Sequence, residues 1–299
     1  MTRKFIYFVN PISGTGSKLL LPGIIKNKTS GRNIPYEILP TELSGAYPWL
    51  KAKIIAEKIT DVIVCGGDGT VNQIANAIRG AEVNIGIVPM GSGNGLAFAA
   101  KIPKSIHKAL DIVFAGHAID IDSFYINNKF SCMLSGLGFD AQVAHDFAKQ
   151  QKRGLVTYIK QSVKNFFAAK PYPFTLVLDG KSISKEAFFI SIANSNQFGN
   201  NFTIAPQASL YDGLLDIVVV NKMSKLRMVW AILKQVSIGQ VRMYEDKKYN
   251  RHDIEYFQTK KITIKNLQGA PLHIDGDPAE TDAVFEIEVI EKAFKLLIP

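Results

Sequence analysis

Val62-Ile63-Val64-Cys65-Gly66-Gly67-Asp68-Gly69-Thr70-Val71-Asn72 runs from four apolar residues into two glycines and an acid, then into a helical pattern reaching Arg79. An uninterrupted apolar run of this length is the mark of a strand covered on both faces. The glycines allow the backbone to approach a phosphate closely, because no Cβ intervenes. The amides at the following helix start favour negative charge. Asp68 stands among those donors, where it can reach a Mg²⁺ that bridges phosphates. A second reading uses the same residues: a tight strand-to-helix turn with Asp68 as the helix N-cap.

The same strand–loop–helix texture extends outward from this stretch. Phe5 to Val9 is another continuous apolar run, followed by Asn10-Pro11-Ile12-Ser13-Gly14-Thr15-Gly16. Tyr36 to Leu39 reads as a strand and Trp49 to Lys58 as a helix with Leu50, Ile54 and Ile55 on one face. Ile85 to Val88 is a further strand, leading into Pro89-Met90-Gly91-Ser92-Gly93-Asn94-Gly95-Leu96-Ala97 and a helix near Asn94. This alternation implies a parallel sheet with helices on both sides. All three glycine-rich loops fall at the carboxyl ends of strands, where such sheets bind ligands. The first is not a Walker A loop, since Ser17 follows Gly16. It is not the dinucleotide fingerprint, since Leu19 takes the third glycine position.

From about residue 117 the pattern changes. His117–Tyr125, Phe174–Leu178, Ala187–Ala193, Leu214–Val220, Lys261–Lys265 and Ala283–Ile290 read as strands. Helices are expected near Ala141–Ala169 and Lys225–Ile238. Runs of strands with few helices indicate a mainly antiparallel second domain. The expected domains are residues 1–120, an α/β nucleotide-binding unit, and 121–299, a β-rich unit, with the active site between them.

Composition supports a globular chain. Of 299 residues, 47% are hydrophobic and 20% charged, enough to bury a core and too apolar for disorder. No apolar run approaches the roughly 20 residues of a spanning helix. Met1-Thr2-Arg3-Lys4 and the short run after it do not read as a secretory signal. Two cysteines, Cys65 and Cys132, form neither a disulfide framework nor a metal knuckle, so a cytoplasmic setting is expected. The net charge of +9 attracts polyanions such as nucleotides or an anionic bilayer. No nucleic-acid-binding signature accompanies it.

The ordered set N-P-x-S-G, G-G-D-G-T-x-N and P-x-G-S-G-N-x-x-A resembles the diacylglycerol kinase catalytic family, which includes bacterial diacylglycerol kinases and sphingosine and ceramide kinases. The resemblance continues through Gly136-Leu137-Gly138-Phe139-Asp140-Ala141, Asn194 to Gly199 with Ala205-Pro206, Asp212-Gly213-Leu214-Leu215, and Asp275-Gly276-Asp277. It covers almost the whole chain. It implies a lipid kinase that uses ATP and Mg²⁺ on a lipid hydroxyl at an anionic membrane surface. Asn10, Pro11, Ile12, Ser13, Gly14, Thr41, Gly66, Gly67, Asp68, Gly69, Thr70, Val71, Asn72, Ser92 and Asn94 would bind ATP. Asp68 would serve the phosphate-bridging Mg²⁺. Asp212, with main-chain oxygens of Ser209 and Leu214, would hold a second, structural Mg²⁺. Asp275 or Asp277 would be the general base, and the sequence does not assign which. The family analogy also returns residues 294–299 to the first domain and allows a homodimer.

Two departures matter. After Thr41 the family often carries a Gly-His pair, and here Gly45 is followed by Ala46. Where bacterial diacylglycerol kinases often show an acid in the third loop, this chain has Gly95. That brings the loop closer to sphingosine kinases and makes Asp140 a candidate contact for a sphingoid amine, or else a helix N-cap. Lys225 to Lys234, with Trp230, suits docking at a bilayer interface, and equally a core helix with a basic rim. Lys149, Lys152, Arg153, Lys247 and Lys248 add cationic surface. An NAD kinase-like phosphotransferase and a non-catalytic lipid- or nucleotide-binding regulator are the alternative readings.

Overall fold

The structure is a computed structural model, and it describes residues 2–11, 20–150, 164–197, 203–227 and 253–299. It divides into two compact units, Met1–Asp122 with Glu291–Pro299, and Ser123–Ile290.

The first unit contains β1 (Phe5–Val9), α1 (Leu21–Ser30), β2 (Tyr36–Pro40), α2 (Leu50–Glu57), β3 (Asp61–Gly66), α3 (Asp68–Ile78), β4 (Asn84–Pro89), α4 (Gly95–Ala99) and α5 (Ile106–Ala115). Its strands are parallel, in the order β2-β1-β3-β4. Phe5 to Phe8 and every residue of β3 are buried, as strands covered on both faces must be. Because β1 has β2 on one side and β3 on the other, the chain winds outward from it in both directions. That switch point opens a crevice at the carboxyl ends of β1 and β3. The amino ends serve stability instead. Asp61, fully buried, accepts from Arg3 Nη2 at 2.6 Å and Nε at 3.0 Å, and from Asn84 Nδ2 at 3.0 Å.

The second unit is antiparallel. Its elements are β5 (Ala118–Ile126, whose start lies in the first unit), β6 (Lys129–Ser131), β7 (Leu134–Gly138), α6 (Phe139–Ala148), β8 (Tyr172–Leu178), β9 (Lys181–Ala193), β10 (Leu215–Asn221), β11 (Ile254–Thr259), β12 (Lys261–Lys265), β13 (Leu272–Ile274), β14 (Asp277–Ala279) and β15 (Val284–Leu297). The long strand β9 pairs with β8 through its first half, and with β7 and β10 through its second. Register decides the faces, since paired residues point the same way. Leu137, Ile190, Ile217 and Leu272 point into the apolar core with Phe285 and Ile287. The opposite face carries small and polar residues: Gly136 beside Ser191 and His273, then Val218 and Tyr256. α6 packs against β7, β13 and β14. The end of β15 returns to the first unit, where Lys295 and Leu296 pair parallel with β4.

Two helix expectations need correction or fall out of view. The helix expected over 141–169 starts earlier, at Phe139, and stops at Ala148, with Lys149 as its C-cap. Residues 164–168 are helical again, and 151–163 lie outside the described residues. Of the helix expected over 225–238, only 225–227 are described, and Trp230 lies outside. α5 was not expected, although Ala109, Leu110 and Val113 mark its buried face. Among the described residues, no helix is long and apolar enough to cross a membrane.

Candidate active site

At one end of the first unit's sheet, Asn10, which opens the first glycine-rich loop, meets the second loop, and the second meets the third. After β1, Asn10 donates its backbone N–H to the Cys65 carbonyl at 3.0 Å and its Nδ2 to Thr70 Oγ1 at 2.8 Å. After β3, Gly67 is the N-cap of α3 and Asp68 is its first residue, so Asp68 is not the cap. The Asp68 carboxylate instead reaches the third loop, accepting from the backbone N–H of Gly95 at 3.0 Å and of Leu96 at 3.3 Å. The third loop is drawn in further by Met90 N–H donating to the Gly66 carbonyl at 2.8 Å. Gly67 and Gly91 touch through their backbones, and a Cβ on Gly91 would lie 2.6 Å from Gly67 Cα. Only glycine permits that approach.

These contacts sort the expected nucleotide residues. Asn94 is buried and closes its own loop, accepting from Gly91 N–H and donating to the Gly91 carbonyl, both at 2.7 Å. Val71 is buried in α3, and Thr70 is tied to Asn10. Gly69 and Asn72 are half-buried on α3, and Ser92 is exposed. Pro11 is exposed, and Thr41, after β2, donates its N–H to the Val9 carbonyl at 3.1 Å. Ile12, Ser13 and Gly14 lie outside the described residues.

In the second unit, Asp275 and Gly276 form a two-residue loop between β13 and β14, with φ of 48° and 86°. Consecutive positive values describe a type I′ hairpin turn, which Asp-Gly favours. Asp275 is buried, and its carboxylate is enclosed by the segment before β7. It accepts from Ser131 Oγ (2.6 Å) and from the backbone N–H groups of Cys132 (3.0 Å), Met133 (3.1 Å) and Leu134 (2.9 Å). Its own N–H donates to the Leu134 carbonyl at 2.8 Å. Such a ring of amides is a carboxylate-binding nest filled from within the chain. Asp277, two residues on, is exposed at the start of β14.

Behind the same turn, His273 is buried and packs its ring against Asp140, with Nε2 3.3 Å from Oδ2. Gly276 N–H donates to His273 Nδ1 at 3.3 Å. That acceptor role places the ring proton on Nε2, facing the carboxylate. Asp140 is not an N-cap, since Gly138 caps α6, and its other oxygen accepts from Ala141 N–H at 2.8 Å. His273 carried no signal in the sequence, because its partner lies 133 residues away.

The expected cation segment precedes β10. Ser209 and Leu214 are half-buried and Asp212 is exposed, and Leu214 N–H donates to Asp212 Oδ1 at 3.1 Å. Two residues further, Asp216 is fully buried, and burial, with a smaller contribution from the Asp212 charge, pushes its carboxyl up to about 6. Its Oδ2 is buried without a hydrogen-bond partner. No group of three or more His, Cys, Asp or Glu side chains suited to a metal exists among the described residues. A cation held here would draw on main-chain oxygens as well as Asp212, a donor set that suits a hard ion such as Mg²⁺. The orphaned acidic oxygen beside the segment fits that ion.

The family model of the diacylglycerol kinase catalytic domain matches residues 4–126. That of the YegS C-terminal NAD kinase beta sandwich-like domain matches residues 134–298. A Shewanella frigidimarina protein named "Probable lipid kinase YegS-like" is 27% identical over 252 residues, covering 82% of this chain and 78% of that protein. A diacylglycerol kinase of Staphylococcus carnosus is 26% identical over 276 residues, covering 85% and 87%. A crystal structure of a diacylglycerol kinase from Bacillus anthracis superimposes with a TM-score of 0.74 at 21% identity, covering 99% of this chain and 97% of that one.

Proposed function

The chain belongs to the family of the diacylglycerol kinase catalytic domain and is a kinase, and from that premise we propose that it transfers the γ-phosphate of ATP, with Mg²⁺, to a hydroxyl of an acylglycerol in a membrane. The observation that carries the reading is the junction at the carboxyl ends of β1, β3 and β4, where Asn10 bonds Thr70 of α3 and Asp68 is stitched to the third loop. Asn10 to Gly14, Thr41, Gly66 to Asn72 and Ser92 line the nucleotide, and the amides at the start of α3 take phosphate oxygens. Asn94 shapes its loop rather than touching ATP. Asp68 holds the third loop and the phosphate-bridging cation together. Mg²⁺ bound there would neutralise charge on the phosphoryl oxygens during transfer. Ser209, Asp212 and Leu214 hold the second, structural cation.

The two acids of the Asp-Gly-Asp turn take different parts. Asp275 is buried, with its oxygens committed to Ser131 and three backbone amides, so they are not presented to a substrate hydroxyl. We therefore assign the general base to the exposed Asp277. It takes the proton of the lipid hydroxyl as that oxygen attacks the γ-phosphorus and the ADP oxygen leaves. Asp140 is engaged by His273 and Ala141, which favours an uncharged acylglycerol over a sphingoid amine.

Peripheral membrane association follows from the substrate. Phe167 and Leu226 are 68% and 80% exposed, and Lys225 Nζ donates to the Phe167 carbonyl, joining their two segments. Lys164, Lys170, Lys222 and Arg227 flank them in sequence. Aromatic and aliphatic tips among cations suit an anionic bilayer surface, at up to about 1 kcal/mol per cation. Binding to anionic vesicles is expected to weaken as salt rises from 50 to 500 mM in sedimentation assays, on the order of the screening expected at short Debye length. Salt-independent binding would remove the electrostatic part of this account.

Gly91→Ala should raise KM for ATP at least ~10-fold with little change in Tm, because its Cβ forces the second and third loops apart. An unchanged KM would show that the loop contact does not shape the nucleotide site. The reading as a whole is tested by label transfer from γ-labelled ATP to diacylglycerol, monoacylglycerol, ceramide and sphingosine in mixed micelles, with NAD as a control acceptor. Label in diacylglycerol is expected. Label in NAD alone would replace the lipid reading with a dinucleotide kinase, and label in sphingosine would restore Asp140 as an amine contact.

A further inference from the structure

Asp277 sits between two residues of opposite stiffness. Pro278 has its own φ fixed and restricts Asp277 to extended backbone. Gly276, on the other side, has φ of 86° and belongs to the residue type with the most backbone freedom. The orientation of the exposed acid therefore depends on what holds that glycine. Its N–H, at the centre of the turn between β13 and β14, donates to His273 Nδ1 at 3.3 Å.

The ring that holds the glycine is itself held. His273 is buried, with Nε2 3.3 Å from Oδ2 of Asp140, in the first turn of α6. The pair lies directly on the backbone of β7. A Cβ on Gly136 would stand 1.9 Å from Asp140 Oδ2 and 2.6 Å from His273 Nε2, so only glycine leaves room for it. α6 grips β13 a second time, where His145 Nε2 donates to the Leu272 carbonyl at 2.8 Å. A buried carboxylate thus orients an imidazole, and the other ring nitrogen fixes a turn at the surface. Gly276 is exposed, so water can satisfy its N–H when the ring is gone. Water cannot restore its position.

We propose that His273 is a positioning residue for phosphoryl transfer: through Gly276 it fixes the hairpin turn that presents Asp277 to the lipid hydroxyl. The inference rests on the assignment of Asp277 as the base. Asp140 acts one step further back, by holding the ring.

The two ring nitrogens can be tested apart. The side-chain amide of asparagine falls near the Nδ1 position of a histidine, and that of glutamine near Nε2. His273→Gln keeps a donor to Asp140 and loses the acceptor for Gly276. His273→Asn keeps that acceptor and loses the contact with Asp140. The measurements are kcat and KM for ATP with diacylglycerol micelles, and Tm, on the full chain carrying His273→Gln, His273→Asn, Asp277→Asn, or His273→Gln with Asp277→Asn. His273→Gln should leave Tm and KM for ATP near wild type and lower kcat by roughly 10- to 100-fold, the usual effect of a group misplaced by about 1 Å. His273→Asn should rescue the rate to within ~3-fold of wild type while lowering Tm, because a buried carboxylate has lost its partner. Added to Asp277→Asn, the glutamine change should slow turnover no further, since both act at one group. Ring-nitrogen NMR of the wild type should show the His273 proton on Nε2, identified as the signal that His273→Asn removes.

A histidine that only completes the core predicts wild-type kcat per folded molecule in both single variants, or losses that multiply in the double one. Either result, a proton on Nδ1, or failure of His273→Gln to fold would overturn the proposal. Asp277→Asn separates the two readings. A normal rate in that variant would remove the base assignment itself. A lost rate there with a normal rate in His273→Gln would remove only the role of His273.

Discussion

Asp277→Asn should lower kcat for lipid phosphorylation by about 10²- to 10⁴-fold, the usual worth of a positioned general base. KM for ATP, Tm and the circular dichroism spectrum should stay near wild type, since the side chain is exposed at the start of β14. The expectation follows from a contrast within one hairpin. Asp275 and Asp277 are separated by one glycine, but Asp275 is buried within a ring of donors and Asp277 is exposed. That ring of donors occupies the oxygens of Asp275 and holds them away from a substrate hydroxyl. A loss of less than tenfold in Asp277→Asn would move the base elsewhere.

Asp275→Ala, by contrast, should act on the fold. Removing the carboxylate leaves the N–H groups of Cys132, Met133 and Leu134 buried without their acceptor, together with the Ser131 hydroxyl. At about 1–3 kcal/mol per unsatisfied group, partly relieved by relaxation, the loss is on the order of 3–5 kcal/mol. Alanine at φ of 48° adds strain, because aspartate tolerates the left-handed region better. That is a large share of a typical domain's ~5–15 kcal/mol. Asp275→Asn keeps one acceptor oxygen and the turn conformation, and should lose roughly half as much. Urea unfolding followed by fluorescence measures both. Unchanged stability in Asp275→Ala would show that the nest does not hold the segment before β7.

The elements easiest to read in the sequence were those whose physics is local. β1, β3 and β4 are continuous apolar runs because helices cover both faces of a parallel sheet. The first half of β9, Lys181 to Glu186, escaped notice because it is polar and largely exposed and pairs only with β8. β7 is built from Leu134, Ser135, Gly136, Leu137 and Gly138, with little strand propensity, and it was legible only as a motif. β13 and β14 have three residues each, too few for any periodicity.

The candidate site divides along the same line. Its acids and glycines could be named from their loops, because a glycine-rich turn after an apolar run is a local pattern. Which acid does what could not. The donors to Asp275 come from 141 to 144 residues away. The Asp140–His273 pair and the Tyr256–Asp216 contact likewise join segments distant in sequence, 133 and 40 residues apart. The clasp that Asn94 forms on its own loop through the Gly91 backbone was likewise not legible in the sequence.

The central claim is phosphoryl transfer from ATP to an acylglycerol hydroxyl with Asp277 as the base. Its most direct test is a single-turnover reaction with γ-labelled ATP, Mg²⁺ and diacylglycerol micelles, run on the wild type and Asp277→Asn at equal ATP occupancy. The account predicts stoichiometric label in phosphatidic acid from the wild type, and a rate at least ~100-fold lower from the variant. Folded wild-type protein that binds ATP and leaves diacylglycerol unlabelled would contradict it.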